Sequence, residues 1–261
     1  MPIRRYAGFI ALFLVVAAGL WLQYADKPSP VDRALPPTAA PQANRDVGKS
    51  APVQTAQPSQ TPANRTTPAV ARGSGFDFYV LSLSWSPTFC ARNASGNDQQ
   101  CGIGRDHGFI VHGLWPQNER GYPQDCASSE PDRVPQALGR SLFDIMPGMG
   151  LIGHEWRKHG TCSGLSQADY FSVLRAAYER VVLPPALDKP QKRQTLDATA
   201  IENMMVSANP GLSRAGVALS CDRDRLEEVR ICLSKDLGFR DCAEVDRQGC
   251  TARNIVLPQA R

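Results

Sequence analysis

From Tyr6 to Ala25 the chain carries no charged residue and consists mostly of Ala, Leu, Val, Gly and aromatic side chains, directly after Arg4 and Arg5. About 20 apolar residues span a bilayer as a helix, and basic residues on a short N-terminal flank keep that end cytoplasmic. Val16-Ala17-Ala18 offers small residues for cleavage, yet the apolar run continues through Leu20, Trp21 and Leu22, which favours retention. Residues 1–25 are therefore expected to be a signal peptide or an N-terminal membrane anchor, with the rest of the chain exported to a periplasmic or extracellular space. The apolar pattern then disappears. Residues 26–72 hold nine prolines, many Ala, Gln and Thr, and no aromatic residue. Such a segment buries too little apolar surface to offset chain entropy and is expected to be a disordered Pro-rich linker.

Periodic patterns begin at Phe76. From Phe78 to Trp85 large residues alternate with small or polar ones, the period of a strand. Phe109-Ile110-Val111, bounded by glycines, predicts a second, buried strand that carries His112 at its end. Ser166 and Asp169 resemble a capping box ahead of Tyr170, Phe171, Leu174, Ala177, Tyr178 and Val181, which recur at helical spacing until Pro184 and Pro185. A second helix is predicted over 197–208, stopped by Asn209-Pro210-Gly211, and two late strands over 217–220 and 226–233. Strands at both ends with helices between them make residues 73–261 an α+β domain with an antiparallel or mixed sheet.

Charge and cysteines change this picture. A net charge of +4 suggests a polyanion-binding surface until it is divided along the chain. The first 72 residues contain eight of the 29 basic and three of the 25 acidic residues, which leaves 21 against 22 in the domain. Any phosphate recognition there must be local. All eight cysteines lie in the domain, and an even number behind an export signal reads as a disulfide framework. No CxxC pair occurs and the cysteines are widely spread, which argues against a metal cluster; spacing alone leaves their pairing open.

Three of the four histidines fall in two short stretches: His112, and the run His154-Glu155-Trp156-Arg157-Lys158-His159. Histidine titrates near neutrality, so the concentration points to proton transfer. In a helix, steps of about 100° put His154, Lys158, Glu155 and His159 at roughly 0, 40, 100 and 140°, on one side, with Trp156 and Arg157 on the other. A solvated charged face and a His-Glu-x-x-His zinc site are the competing explanations. The zinc spacing fails, because Lys158 occupies the position four after His154 and His159 lies five away. An ammonium between imidazoles suits an anionic reacting centre, and His112 adds a second acid-base group able to face His159 across an in-line displacement. RNA carries its own nucleophile, the ribose hydroxyl beside the scissile phosphate. RNA, and not DNA, is the expected partner, with no metal or other cofactor.

Phe109-Ile110-Val111-His112-Gly113-Leu114-Trp115-Pro116 and His154-Glu155-Trp156-Arg157-Lys158-His159-Gly160-Thr161-Cys162 resemble the two active-site segments of the ribonuclease T-two family of secreted endoribonucleases. The resemblance extends over roughly residues 76–255, taking in Ser84-Trp85-Ser86-Pro87 and Val229-Arg230-Ile231-Cys232-Leu233. It implies a disulfide-stapled α+β domain with a central antiparallel sheet flanked by helices. It also implies His159 as general base, His112 as general acid, Glu155 and Lys158 as stabilisers of a pentacoordinate phosphate, and His154 as a phosphate ligand. Single-stranded RNA would be cut to a 2',3'-cyclic phosphate and then, more slowly, to a 3'-phosphate.

In the family a base stacks on the tryptophan of the first motif, here Trp115, for which core packing is the plain alternative. Tyr122 would add a second aromatic wall, against an ordinary surface position. Gln117 stands where some relatives carry an acidic residue, which bears on base preference, and Leu151 where an aromatic often precedes the second motif, which bears on the second base pocket. The resemblance pairs Cys126 with Cys162, and the further expected bridges are Cys90 with Cys101, Cys221 with Cys250 and Cys232 with Cys242. His107 matches no catalytic position and is expected to be structural or exposed. A monomer is expected, touching a membrane only through its N-terminal segment. The rival from another class is a non-catalytic RNA-binding or surface-interaction protein on the same scaffold.

Overall fold

The computed structural model describes residues 70–93 and 98–260. The segment expected as signal or anchor, and the linker up to residue 69, lie outside the described residues. Among the described residues no helix is long and apolar enough to cross a membrane. Val70 and Ala71 pack against the domain core, and Arg72 lies 3.2 Å from Asp236, so packing takes in the last residues of the linker segment.

The strands are β1 (Phe78–Trp85), β2 (Phe109–Gln117), β3 (Gln194–Leu196), β4 (Val217–Asp222), β5 (Arg225–Leu233) and β6 (Ile255–Leu257). The helices are α1 (Ser86–Arg92), α2 (Asp98–Cys101), α3 (Gln136–Arg140), α4 (Met149–Lys158), α5 (Gln167–Arg180), α6 (Ala198–Ala208) and α7 (Ala243–Arg247). One sheet runs in the order β2-β1-β5-β6-β3, with β4 also paired to β5. Neighbouring strands are antiparallel except β5 and β6. The fold is α+β with a central, predominantly antiparallel sheet.

β1 is buried along its whole length, and its alternation feeds two faces. Tyr79, Leu81, Leu83 and Trp85 enter the main core with Ile152 and Trp156 of α4, Tyr170 and Phe171 of α5, and Ile201 and Met205 of α6. Phe78 and Val80 join a smaller cluster with Cys232, Cys242 and Val245 on the opposite face.

The helix ends follow their caps. Ser166 Oγ accepts from the Asp169 N–H at 3.1 Å and donates to its carboxylate at 2.7 Å, and Val181 leaves the helical region ahead of the prolines. The Asp197 carboxylate accepts from the Thr199 N–H at 2.8 Å, so Asp197 caps α6 and the helix proper starts one residue later. Four disulfides staple the domain: Cys90–Cys101, Cys126–Cys162, Cys221–Cys250 and Cys232–Cys242.

Candidate active site

Two irregularities in the sheet bring charged groups onto one face. β1 pairs Ser82 with Gly113 and Leu83 with Val111, which leaves His112 as an extra residue in β2. A bulge of this kind breaks the two-residue alternation. Val111 and Leu114 therefore both reach the main core, while His112 turns to the opposite face. β5 repeats the device: Cys221 pairs with Leu226 and Ser220 with Glu228, so Glu227 is extra. Leu226 and Val229 stay in the core, and Glu228 and Arg230 face His112. Between them lies β1, whose Ser82 and Ser84 pair with Arg230 and Glu228. These small side chains leave the space across which His112 meets Glu228.

His112 Nδ1 donates to Glu228 Oε1, and Arg230 donates to the other carboxylate oxygen from Nε at 2.9 Å and Nη2 at 2.8 Å. His112 Nε2 lies 3.5 Å from Glu155 Oε1. Glu155 is 1% exposed and accepts from Trp115 Nε1 at 2.8 Å. Gly113 makes this approach possible, because a Cβ there would stand 2.0 Å from Glu155 Oε2 and 2.5 Å from Trp115 Nε1. The Trp115 ring lies between the two imidazoles, with centroids 5.4 Å from His112 and 5.3 Å from His159.

The helical projection holds from His154 to Lys158 and needs correcting at His159. Within it His154 is exposed and Glu155 is buried, with His112 and Trp115 as its polar partners. His159 is not helical. The helix stops at Lys158, and His159 caps it at φ −125°, ψ −43°, its N–H donating to the Glu155 carbonyl at 3.0 Å. That turn swings the imidazole towards Trp115. Lys158 Nζ lies 3.3 Å from Asp125 Oδ2, and the Asp125 N–H donates to the Lys158 carbonyl at 2.9 Å. The adjacent Cys126–Cys162 bridge fixes this segment to the end of α4. His154 is exposed and lines, with His112, Glu228 and Leu151, a cleft of about 530 Å³.

Gln117 and Tyr122 are not gathered into this cluster. The Gln117 amide donates to the Gly121 carbonyl at 3.2 Å, within the loop after β2, and Tyr122 is 57% exposed.

The ribonuclease T2 family model matches residues 76–242. The chain is 35% identical to a ribonuclease of Aeromonas hydrophila over 176 residues, which is 62% of this chain and 73% of that protein. It is 32% identical to a probable ribonuclease of Haemophilus influenzae over 179 residues, 64% of this chain and 61% of that protein's length. Among solved structures, an RNase-related protein from Calystegia sepium superposes with a TM-score of 0.58 at 23% identity, covering 72% of this chain and all of that one, a likeness of fold. The chain belongs to the ribonuclease T2 family. Membership places it among the RNA endonucleases.

The electrostatics of this T2 ribonuclease set its two histidines apart. Burial disfavours charge on His112, but the hydrogen bond to Glu228 and the carboxylates of Glu155 and Glu228 outweigh it and raise its pKa. His159 goes the other way. Burial first, then the charges of His112, Lys158 and His154, push it down to about 4. Its Nδ1 is buried with no hydrogen-bond partner among the described residues. Burial raises Glu155 to about 7. Glu228 is pulled down to about 2: burial opposes its charge, but His112 and Arg230 prevail. Burial and nearby cations lower His154.

Glu228, Arg230 and Asp125 were missed as site residues. The available signal was Glu228-Val229-Arg230, two charged residues at the strand period, with Glu227 beside them, in a stretch otherwise apolar from Leu226 to Leu233. Asp125 offered none beyond its place before Cys126.

Proposed function

We propose that the enzyme cleaves single-stranded RNA by transphosphorylation to a 2',3'-cyclic phosphate, followed by hydrolysis to a 3'-phosphate, without a metal. The observation that carries this reading is the placing of two unlike imidazoles about the Trp115 ring, His112 bonded to the Glu228 carboxylate and His159 with its Nδ1 buried and unpartnered among the described residues, which separates an acid from a base. His159, held neutral, takes the proton of the ribose 2'-hydroxyl. His112, held protonated by Glu228, gives its proton to the departing 5'-oxygen. In the second step water replaces the hydroxyl and the roles reverse.

Glu155, whose pKa burial raises to about 7, takes up a proton below neutrality and then offers a hydrogen bond to a phosphorane oxygen that an ionised carboxylate would repel; in that range the charge that favours protonated His112 is that of Glu228. Lys158 and His154 supply positive charge beside the phosphate. Trp115 is the base platform: its N–H is committed to Glu155, and its ring is only half-buried. Gln117 has its amide committed to its own loop, so base selection through it follows the placement of that loop. Four disulfides persist in an oxidising compartment, which supports export.

The test is end-group analysis of RNA cut by the oxidised protein in chelator. A cyclic phosphate that converts to a 3'-phosphate is expected, with cleavage lost in His112→Ala and His159→Ala. Cleavage of DNA, or RNA products without the cyclic intermediate, would reject the mechanism.

A further inference from the structure

Next to the catalytic cleft lies a larger one, of about 890 Å³, that the proposed chemistry does not use. The two share one lining residue and flank the same helix. Gln100 lines both, its amide donating at 3.1 Å to Ser86, and α1 gives Phe89 and Arg92 to the first cleft and Pro87, Cys90 and Ala91 to the second. β5 also contributes to both, with Glu228 in the first and Arg225 in the second.

Three exposed arginines from separate segments converge there: Arg105 after α2, Arg193 before β3, and Arg225 at the start of β5. Among the described residues none of the three makes an ion pair or a side-chain hydrogen bond. Arg92, Arg175, Arg214, Arg230 and Arg240 each meet a carboxylate at 2.6–2.9 Å, so what distinguishes Arg105, Arg193 and Arg225 is that they line one cleft together without such a partner. Among the described residues Asp224 is the one carboxylate lining this cleft, and no Phe, Tyr or Trp does. The lining therefore suits phosphates rather than base stacking, and it supplies the local positive charge that a domain with balanced net charge lacks overall.

We infer that this cleft holds backbone phosphates of the RNA strand on the 3' side of the scissile bond. The polarity rests on the proposed role of His112. The group that His112 protonates leaves with the 3' portion of the strand, and His112 lines the catalytic cleft that shares Gln100 with this one. His159 and Trp115, with ring centroids 5.3 Å apart, line neither cleft. Recognition through arginine and phosphate alone is independent of sequence.

The test uses the full oxidised chain and oligodeoxynucleotides with a single ribose, extended by several nucleotides either 3' or 5' of it. The wild type should cut the 3'-extended substrate with kcat/KM about tenfold or more above the 5'-extended one. Arg105→Gln, Arg193→Gln and Arg225→Gln together should remove that preference. The slope of log kcat/KM against log salt should fall by about 2, at ~0.7 per phosphate contact on a single strand. Equal wild-type values for the two substrates, or a preference that survives the triple substitution, overturn the inference. A second arm measures binding of a 2'-O-methyl oligonucleotide, which has no nucleophile. Weakening of about tenfold in the triple variant supports the cleft, and an unchanged Kd overturns it. A protein that binds this strand but cuts neither substrate overturns the catalytic assignment and the 3' polarity with it.

Discussion

Replacing Glu228 by Gln removes one negative charge from His112 while leaving an amide oxygen to accept its Nδ1–H. Glu228 is buried and bonded to both His112 and Arg230, so the substitution also leaves the Arg230 guanidinium uncompensated beside the imidazole. Unit charges about 4 Å apart interact by about 4 kcal/mol at an effective dielectric of about 20. The surviving hydrogen bond and the carboxyl of Glu155 offset part of this. The His112 pKa is therefore expected to fall, each unit of the fall corresponding to about 1.4 kcal/mol.

The direction follows from the group's role. A general acid must be protonated to act, so its pKa sets the basic limb of kcat/KM, and in the wild type that limb lies above 6.5 because the His112 value is raised. In Glu228→Gln the limb moves to lower pH. Activity at pH 7 drops by about tenfold or more, while activity near pH 5 changes much less. The assay is the pH dependence of kcat/KM on a dinucleoside monophosphate, with near-UV circular dichroism to verify the fold. A loss that is equal at every pH, or a basic limb that does not move, would refute the idea that Glu228 tunes the acid and would leave it a packing group.

Other outcomes follow from the same geometry. The wild-type kcat/KM profile should be a bell with its acidic limb near 4, where His159 gains its proton, and an acidic limb at 6.5 would show that burial does not govern the base. Gly113→Ala should cost about 1 to 3 kcal/mol of stability and at least about a hundredfold in kcat, since the added methyl would collide with Glu155 and Trp115; urea melts and steady-state rates measure the two effects. Replacing Cys126 and Cys162 together by Ala opens a bridge that spans 36 residues and should lower the unfolding free energy by about 3 to 4 kcal/mol in denaturant titration. An unchanged midpoint would mean that the segment holding Asp125 against Lys158 is secured by other contacts.

What could be read from the sequence divides along the line between local and non-local causes. The capping of α5 by Ser166 and of α6 by Asp197, and the stops at the prolines and at Asn209, depend on residues a few positions apart and were visible there. β3 and β6, three residues each, are too short to carry a period. The bulges were invisible for a deeper reason. Strict alternation puts Val111 and Leu114 on opposite faces and likewise Leu226 and Val229, so no pattern within one strand shows that both members of each pair are core residues. Only the pairing with β1 and β4 reveals it.

Those same bulges account for the chemistry. Without the extra residue at 112, either the imidazole or Leu114 would sit on the wrong face. Without the one at 227, Glu228 or Leu226 would. The proposed reacting groups belong to the motifs around β2 and α4, but the carboxylate that raises the His112 pKa comes from β5, more than a hundred residues away and across an intervening strand. The resemblance in sequence pointed to His112 and His159. The irregular register of the sheet explains why His112 meets a carboxylate, which no pattern along β2 alone could show.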